Sequence, residues 1–230
     1  MLRRLVKASA IVIGAGLVLA GCGSVKMGSA AIVGDERITI ATLDTEVNNL
    51  SQAAKRYQGT VQLSAAQQTQ QTLTWLVRFQ IAEELARQHG ITVSTAESQA
   101  ALDRIYAEAK ASAEAQGISN PSLDLILVAN GIPPNLSAEV GRYQAITDEF
   151  MKQANGGTAP STTAEQTLTT AKFEHAQCEA AKSLNIMINP QFGQMDYSQY
   201  QVISAPSAVS RSAGPTPSPS ASPPVLTPAC

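Results

Sequence analysis

Aromatic residues are scarce in this sequence, at 4 % with a single Trp. That speaks against a sandwich of sheets around large rings and favours helices packed through Leu, Ile, Val and Ala. Charge is low as well, 15 % of residues with a formal net charge of -2, so the basic footprint of a nucleic-acid binder is missing. No Gly-x-Ser-x-Gly elbow and no phosphate-binding Gly-Lys-Ser/Thr occurs, and Gly14-Ala15-Gly16 falls inside an N-terminal leader. The carboxylates are spread as on a solvated helical surface: Glu83 with Arg87, Glu139 with Arg142 and Asp148 with Lys152 read as local helix pairs. No catalytic residue and no cofactor is assigned, and an enzyme is not expected.

What is present begins with a patterned N-terminus. Residues 1–21 carry a basic start (Arg3, Arg4, Lys7), an apolar run from Ala8 to Ala20, and small residues before Cys22, the three parts of an export signal. Leu19-Ala20-Gly21-Cys22 matches the bacterial lipobox. It predicts cleavage between Gly21 and Cys22 and a diacylglyceryl group, with palmitate-type chains, on the Cys22 sulfur. Two or three acyl chains at about 0.8 kcal/mol per buried CH2 hold without release, which predicts a lipid-anchored protein on the extracytoplasmic face of the cell membrane. The alternative is an uncleaved span over Ala8–Val25, near the ~18 apolar residues that reading needs. Its glycines weaken it, and it leaves Cys22 unexplained. Cleavage also removes three positive charges and no negative one, which leaves the mature chain more acidic. Residues 22–29 then read as a lipidated flexible linker that keeps the folded part near the bilayer.

Residues 30–203 read as one domain, long enough for a real core. Ala31–Thr39 predicts a hairpin around Gly34-Asp35, with glycine in a type II′ turn. A first helix follows from about Ile40 to Tyr57. Ser64 and Gln67 form a capping box for a second, uninterrupted to Gly90. Its Leu73, Leu76, Val77, Ile81 and Leu85 mark one apolar face, and Trp75, Phe79, Ala82 and Ala86 a second, so it is expected to run through the centre. Ser94 with Glu97 opens a third helix to about Gln116; Asn120-Pro121 caps and starts a fourth, ending at Asn130; Pro133-Pro134 opens a fifth to about Ala154; Thr162 with Glu165 caps a sixth, ending near Leu184. Gly90-Ile91, Gly117-Ile118, Gly131-Ile132 and Asn185-Ile186 repeat the Schellman stop, a left-handed residue followed by an apolar one folding back. The expectation is a mainly α fold, a bundle of about six helices.

Beyond it, residues 204–230 hold seven of the twelve prolines with Ser, Ala and Thr between them and a single charge, Arg211. Such a tail cannot bury enough apolar surface to order itself, and a disordered, extended segment is predicted.

The hairpin Ala31-Ile32-Val33-Gly34-Asp35-Glu36-Arg37-Ile38-Thr39, the helix with Leu43 and Asp44, the central helix, Gly90-Ile91-Thr92-Val93-Ser94 and the late long helix resemble the N-terminal chaperone domain of the SurA and PrsA foldases. The likeness is nearer still to actinomycete lipoproteins with a SurA-type N-terminal domain. In those, the last helix leads into a strand of which Ile188-Asn189-Pro190-Gln191-Phe192-Gly193-Gln194-Met195-Asp196 is the counterpart, with Gln191 and Met195 in place of the usual Arg and Trp. The resemblance covers about residues 30 to 200. It implies that the strand after the last helix pairs with the hairpin, and that the domain binds polypeptides. In the full foldases a parvulin isomerase domain sits before the final helix; Asn155–Pro160 occupies that point, so isomerase activity is not carried over.

His175, Cys178 and Glu179 fall at i, i+3 and i+4 on the last helix, but a stable zinc site needs three or four ligands and His89 is placed to bind carbonyls at a helix end. No metal site is expected. Cys178 reads either as a buried small apolar residue or, in an exported chain whose Cys22 carries lipid, as the partner of Cys230 in a disulfide. Two functions follow: a holdase for unfolded or partly folded exported polypeptides, or an adaptor lipoprotein that docks one cell-envelope protein.

Overall fold

The computed structural model describes residues 27–205. The predicted export signal with Gly21 and Cys22, the alternative span Ala8–Val25, and the tail from Pro206 with Cys230 lie outside the described residues. The chain opens with two antiparallel strands, β1 (Ser29–Val33) and β2 (Glu36–Thr39). Gly34 at their turn has φ +61°, which an L side chain rarely adopts and a type II′ turn requires.

Six α-helices follow among the described residues: α1 (Ile40–Arg56), α2 (Ala65–His89), α3 (Thr95–Ala115), α4 (Leu123–Ala129), α5 (Ser137–Ala154) and α6 (Thr163–Ser183). Three start with the reciprocal capping boxes expected of them. Ser64 with Gln67, Ser94 with Glu97 and Thr162 with Glu165 each satisfy both backbone amides. The bonds to the cap hold Glu97 and Glu165 below the ordinary carboxylate pKa.

Two helix starts differ from the sequence expectation. α4 is capped by Ser122, whose hydroxyl accepts from the Leu125 amide, and not by Asn120. Asn120 instead takes a left-handed φ of +45° and accepts from Lys110, while the Pro121 carbonyl is taken by the Tyr106 hydroxyl. Pro133-Pro134 opens a single 3₁₀ turn, Pro134–Leu136, and α5 begins only at Ser137.

The helix stops behave as their letters predict. Ile91, Ile118 and Ile132 each donate back five residues to Ala86, Ala113 and Leu127, with Gly90, Gly117 and Gly131 left-handed. Asn185 is left-handed too, at φ +45°. A further Schellman stop was not anticipated: the Gly157 amide bonds the Lys152 carbonyl at 2.8 Å and ends α5.

α2 runs through the centre, touching α1, α5, α6, β1 and the last strand. Its Leu73, Val77, Ile81 and Leu85 are buried in the main cluster with Leu43, Ile146, Phe150 and Ala180. Phe79 enters a second cluster with Leu102, Leu127 and Val140. α3 and α5 pack closely because Gly141 has no side chain; a Cβ there would stand 2.5 Å from the Ser98 carbonyl oxygen.

After α6 the chain returns to its start. β3 (Met187–Ile188) pairs with β1, Ala31 opposite Ile188 and Ile32 opposite Met187, the closure that the resemblance implied. That strand is short, however. The backbone turns through Asn189–Gly193 and forms a separate hairpin, β4 (Gln194–Asp196) with β5 (Gln201–Ile203). The fold is mainly α, a helical bundle sealed by small antiparallel sheets.

The surface ion pairs do not follow the local spacing read from the sequence. Arg142 binds Glu83 across α2 and α5 rather than Glu139, Arg87 binds Glu84 rather than Glu83, Lys152 binds Glu149 rather than Asp148, and Asp148 is met by Arg104 of α3. Packing brings α5 within reach of α2 and α3, and a guanidinium fork meets a carboxylate square-on there more readily than along one helix.

Candidate functional site

A cleft of about 720 Å³ opens where α2, α5, α6 and the β4–β5 turn meet. Arg78 of α2 forms its floor. Its Nε donates to the Tyr200 carbonyl at 2.9 Å and its guanidinium also donates to the Gln199 carbonyl at 3.0 Å. It further lies 5.2 Å above the Trp75 ring, a cation–π contact. Burial lowers the Arg78 pKa, but a guanidinium stays charged across the physiological range.

The walls are tyrosines. Tyr143 of α5 accepts from the Gln177 amide at 3.2 Å and stands edge-on to Trp75 and Phe79, with ring centroids 6.0 and 6.4 Å away. Tyr200 has a left-handed φ of +50°, unusual for a bulky residue. It is held there by the Arg78 bond and by its own hydroxyl, which donates to the Glu174 carbonyl at 3.1 Å. Burial raises the pKa of Tyr197 and of Tyr200, the latter also through nearby Glu174. Both hydroxyls therefore stay protonated and act as donors. Asp196 leads into this turn; the Ser198 hydroxyl and amide bond its carboxylate, and its pKa is lowered accordingly.

On the other side of Arg78 lies a second cavity of about 540 Å³, lined by Gln67, Gln70, Gln71, Thr74 and Trp75 of α2 and by Gln201–Ser204. Thr74 Oγ1 accepts the buried Val202 amide at 2.9 Å, and Gln70 donates to Ser204 at 2.8 Å. Gln71 Oε1 and Thr72 Oγ1 are buried without a partner among the described residues. Arg78 belongs to both linings, so the two cavities are neighbours on either side of that side chain and the turn it holds.

Of the residues singled out in the sequence, His175 and Cys178 line this cleft, and His89 packs edge-on against Phe150 at 4.9 Å. Among the described residues no group of three His, Cys, Asp or Glu could hold a metal ion. Cys178 is 5 % exposed and disulfide-bonded; the other two cysteines, Cys22 and Cys230, lie outside the described residues. No helix among those residues is long and apolar enough to cross a membrane.

Arg78, Tyr143, Tyr197 and Tyr200 were not anticipated. Two signals were available: Arg78 is the first charge in α2, set between Val77 and Phe79, and Tyr197 and Tyr200 bracket a polar pair. The arrangement offers aromatic faces, amide side chains and one fixed cation.

The SurA-like N-terminal domain family matches residues 2–116, which include the hairpin and α1 to α3. The chain belongs to this family of chaperone-like domains. The match stops at Gln116, the cap of α3, so Arg78 falls within it and the remaining cleft walls fall beyond it. Neither a curated protein nor a solved structure matches the chain.

Proposed function

We propose that this chain is a lipoprotein, acylated at Cys22 and displayed on the extracytoplasmic face of the cell membrane, whose helical domain holds exported polypeptides in the cavities along α2. The observation that carries the reading is a tyrosine-walled cleft that shares Arg78 with a neighbouring glutamine-lined cavity in a SurA-like domain. Rings and amides recognise extended chain without demanding one sequence, as a holdase requires. The chain is not an enzyme in this reading. A short connector, residues 155–162 between α5 and α6, supports the absence of prolyl isomerase activity, because about ninety residues would have to fit there in the full foldases.

The test uses the full chain expressed in a bacterium that acylates lipoproteins. Fatty-acid label should enter the protein and be lost with Cys22→Ser. The purified protein should slow aggregation of an unfolded exported protein, followed by light scattering. Arg78→Ala, which frees the β4–β5 turn, should weaken that effect several-fold while leaving the helical circular dichroism unchanged. Label persisting on Cys22→Ser would sink the anchor. No effect on aggregation at several-fold excess, together with capture of a single envelope protein, would replace the holdase by an adaptor.

A further inference from the structure

We infer that the cleft between Arg78, Tyr143 and Tyr200 is a docking site for the chain's own proline-rich segment Ser222–Cys230, held there by a disulfide between Cys178 and Cys230. The choice of Cys230 rests on the proposed acylation of Cys22, since an acylated sulfur cannot form a disulfide.

Three observations converge on it. Cys178 lines the cleft and is already disulfide-bonded, so whatever it is joined to is brought to the cleft wall. The chain leaves the described fold close by: Ser204 lines the neighbouring cavity and is bonded to Gln70. From there to Cys230, some 25 residues at about 3.1 Å each reach roughly 75 Å, beyond the ~40 Å expected across a domain of this size. A return to Cys178 is therefore unstrained.

The chemistry of the segment fits the walls. Pro223-Pro224-Val225-Leu226 holds the tail's only adjacent pair of large aliphatic side chains, four and five residues before Cys230. With Cys230 fixed at Cys178, this stretch falls within about 20 Å of the bond. Prolines prefer an extended helix that lies flat on aromatic rings, and little conformational freedom is lost on docking. Gln177 and Tyr143 line the cleft and offer amide and hydroxyl donors to passing carbonyls.

The bond forms by thiol–disulfide exchange with an oxidised dithiol protein of the envelope. The Cys178 and Cys230 thiols lose two protons and two electrons, their sulfurs join, and the donor's S–S bond is reduced to two thiols. A dithiol reductant reverses the step.

Peptide mapping of the full acylated protein without reduction, followed by hydrogen exchange, tests the inference. The expected results are a Cys178–Cys230 linked peptide and protection of the Tyr197–Ser204 amides that falls at least fivefold on reduction or in Cys230→Ser. Replacing Val225 and Leu226 by Ser should keep the bridge and still lose the protection, which separates docking from tethering. A bridge from Cys178 to Cys22 would overturn both this inference and the anchor. A Cys178–Cys230 bridge with protection unchanged by reduction, or by the double replacement, would overturn the docking alone and leave the anchor standing.

Discussion

From Trp75 to Ala86 the central helix buries Val77, Phe79, Ile81, Ala82, Leu85 and Ala86. From Ala65 to Thr74 the same helix is written in Gln, Thr and Ala, buries Thr72 and Thr74 beside Leu73, and borders open space. In the first stretch Arg78, Glu83 and Glu84 are paired; the second leaves Gln71 Oε1 and Thr72 Oγ1 without a partner among the described residues. One helix thus packs a dry apolar face at one end and lines a groove with Gln and Thr at the other. The difference shows where the fold relaxes its packing rules: the site lies at that junction, with Arg78 just on the dry side of it.

The comparison breaks most visibly at Leu85, which is fully buried. Leu85→Ala should cost about 3 kcal/mol, measured by denaturant unfolding, and leave binding at the groove intact. A loss under about 1 kcal/mol would mean that the dry half tolerates cavities as a loose groove does.

Glu84 sharpens the contrast through pH. Its carboxylate accepts from Arg87, Gln88 and Ser183, which ties α2 to α6. Bonding to Arg87, ahead of the smaller opposing effect of burial, lowers its pKa from 4.5 to about 2. Because the folded value lies below the unfolded one, its contribution is complete above about pH 4.5 and is lost as pH falls towards 2. Glu84→Gln should therefore cost about 2 kcal/mol at neutral pH, and the gap between variant and parent should close in acid. A gap that stays constant with pH would remove the ionic bond from the account.

The smallest effect belongs to the groove. Gln71→Met conserves volume and removes a buried oxygen that lacks a partner, so stability should stay level or rise by up to about 1 kcal/mol. A loss of 2 kcal/mol or more would show that the oxygen is satisfied after all.

The legible part of the structure was local. Capping boxes at Ser64, Ser94 and Thr162 and the stops at Gly90, Gly117 and Gly131 were readable because each is a bond between residues a few positions apart. α4 was misjudged by two residues because Asn120-Pro121 and Pro121-Ser122 both look like a start, and only Tyr106, folded over from α3, takes the Pro121 carbonyl. β4 and β5, three residues each, carry too little alternation to be seen.

By itself the sequence determined the number and order of the helices, most of their caps and stops, and the family to which the chain belongs, since these rest on spacing along one chain. Only the tertiary structure decided that Arg142 meets Glu83 rather than Glu139, that Arg78 holds the turn at Tyr200, and that Tyr143, Tyr200 and Cys178 share one cleft. The first two of those contacts join residues 59 and 122 positions apart. Which such partners meet is set by how the helices pack, and no local spacing encodes it.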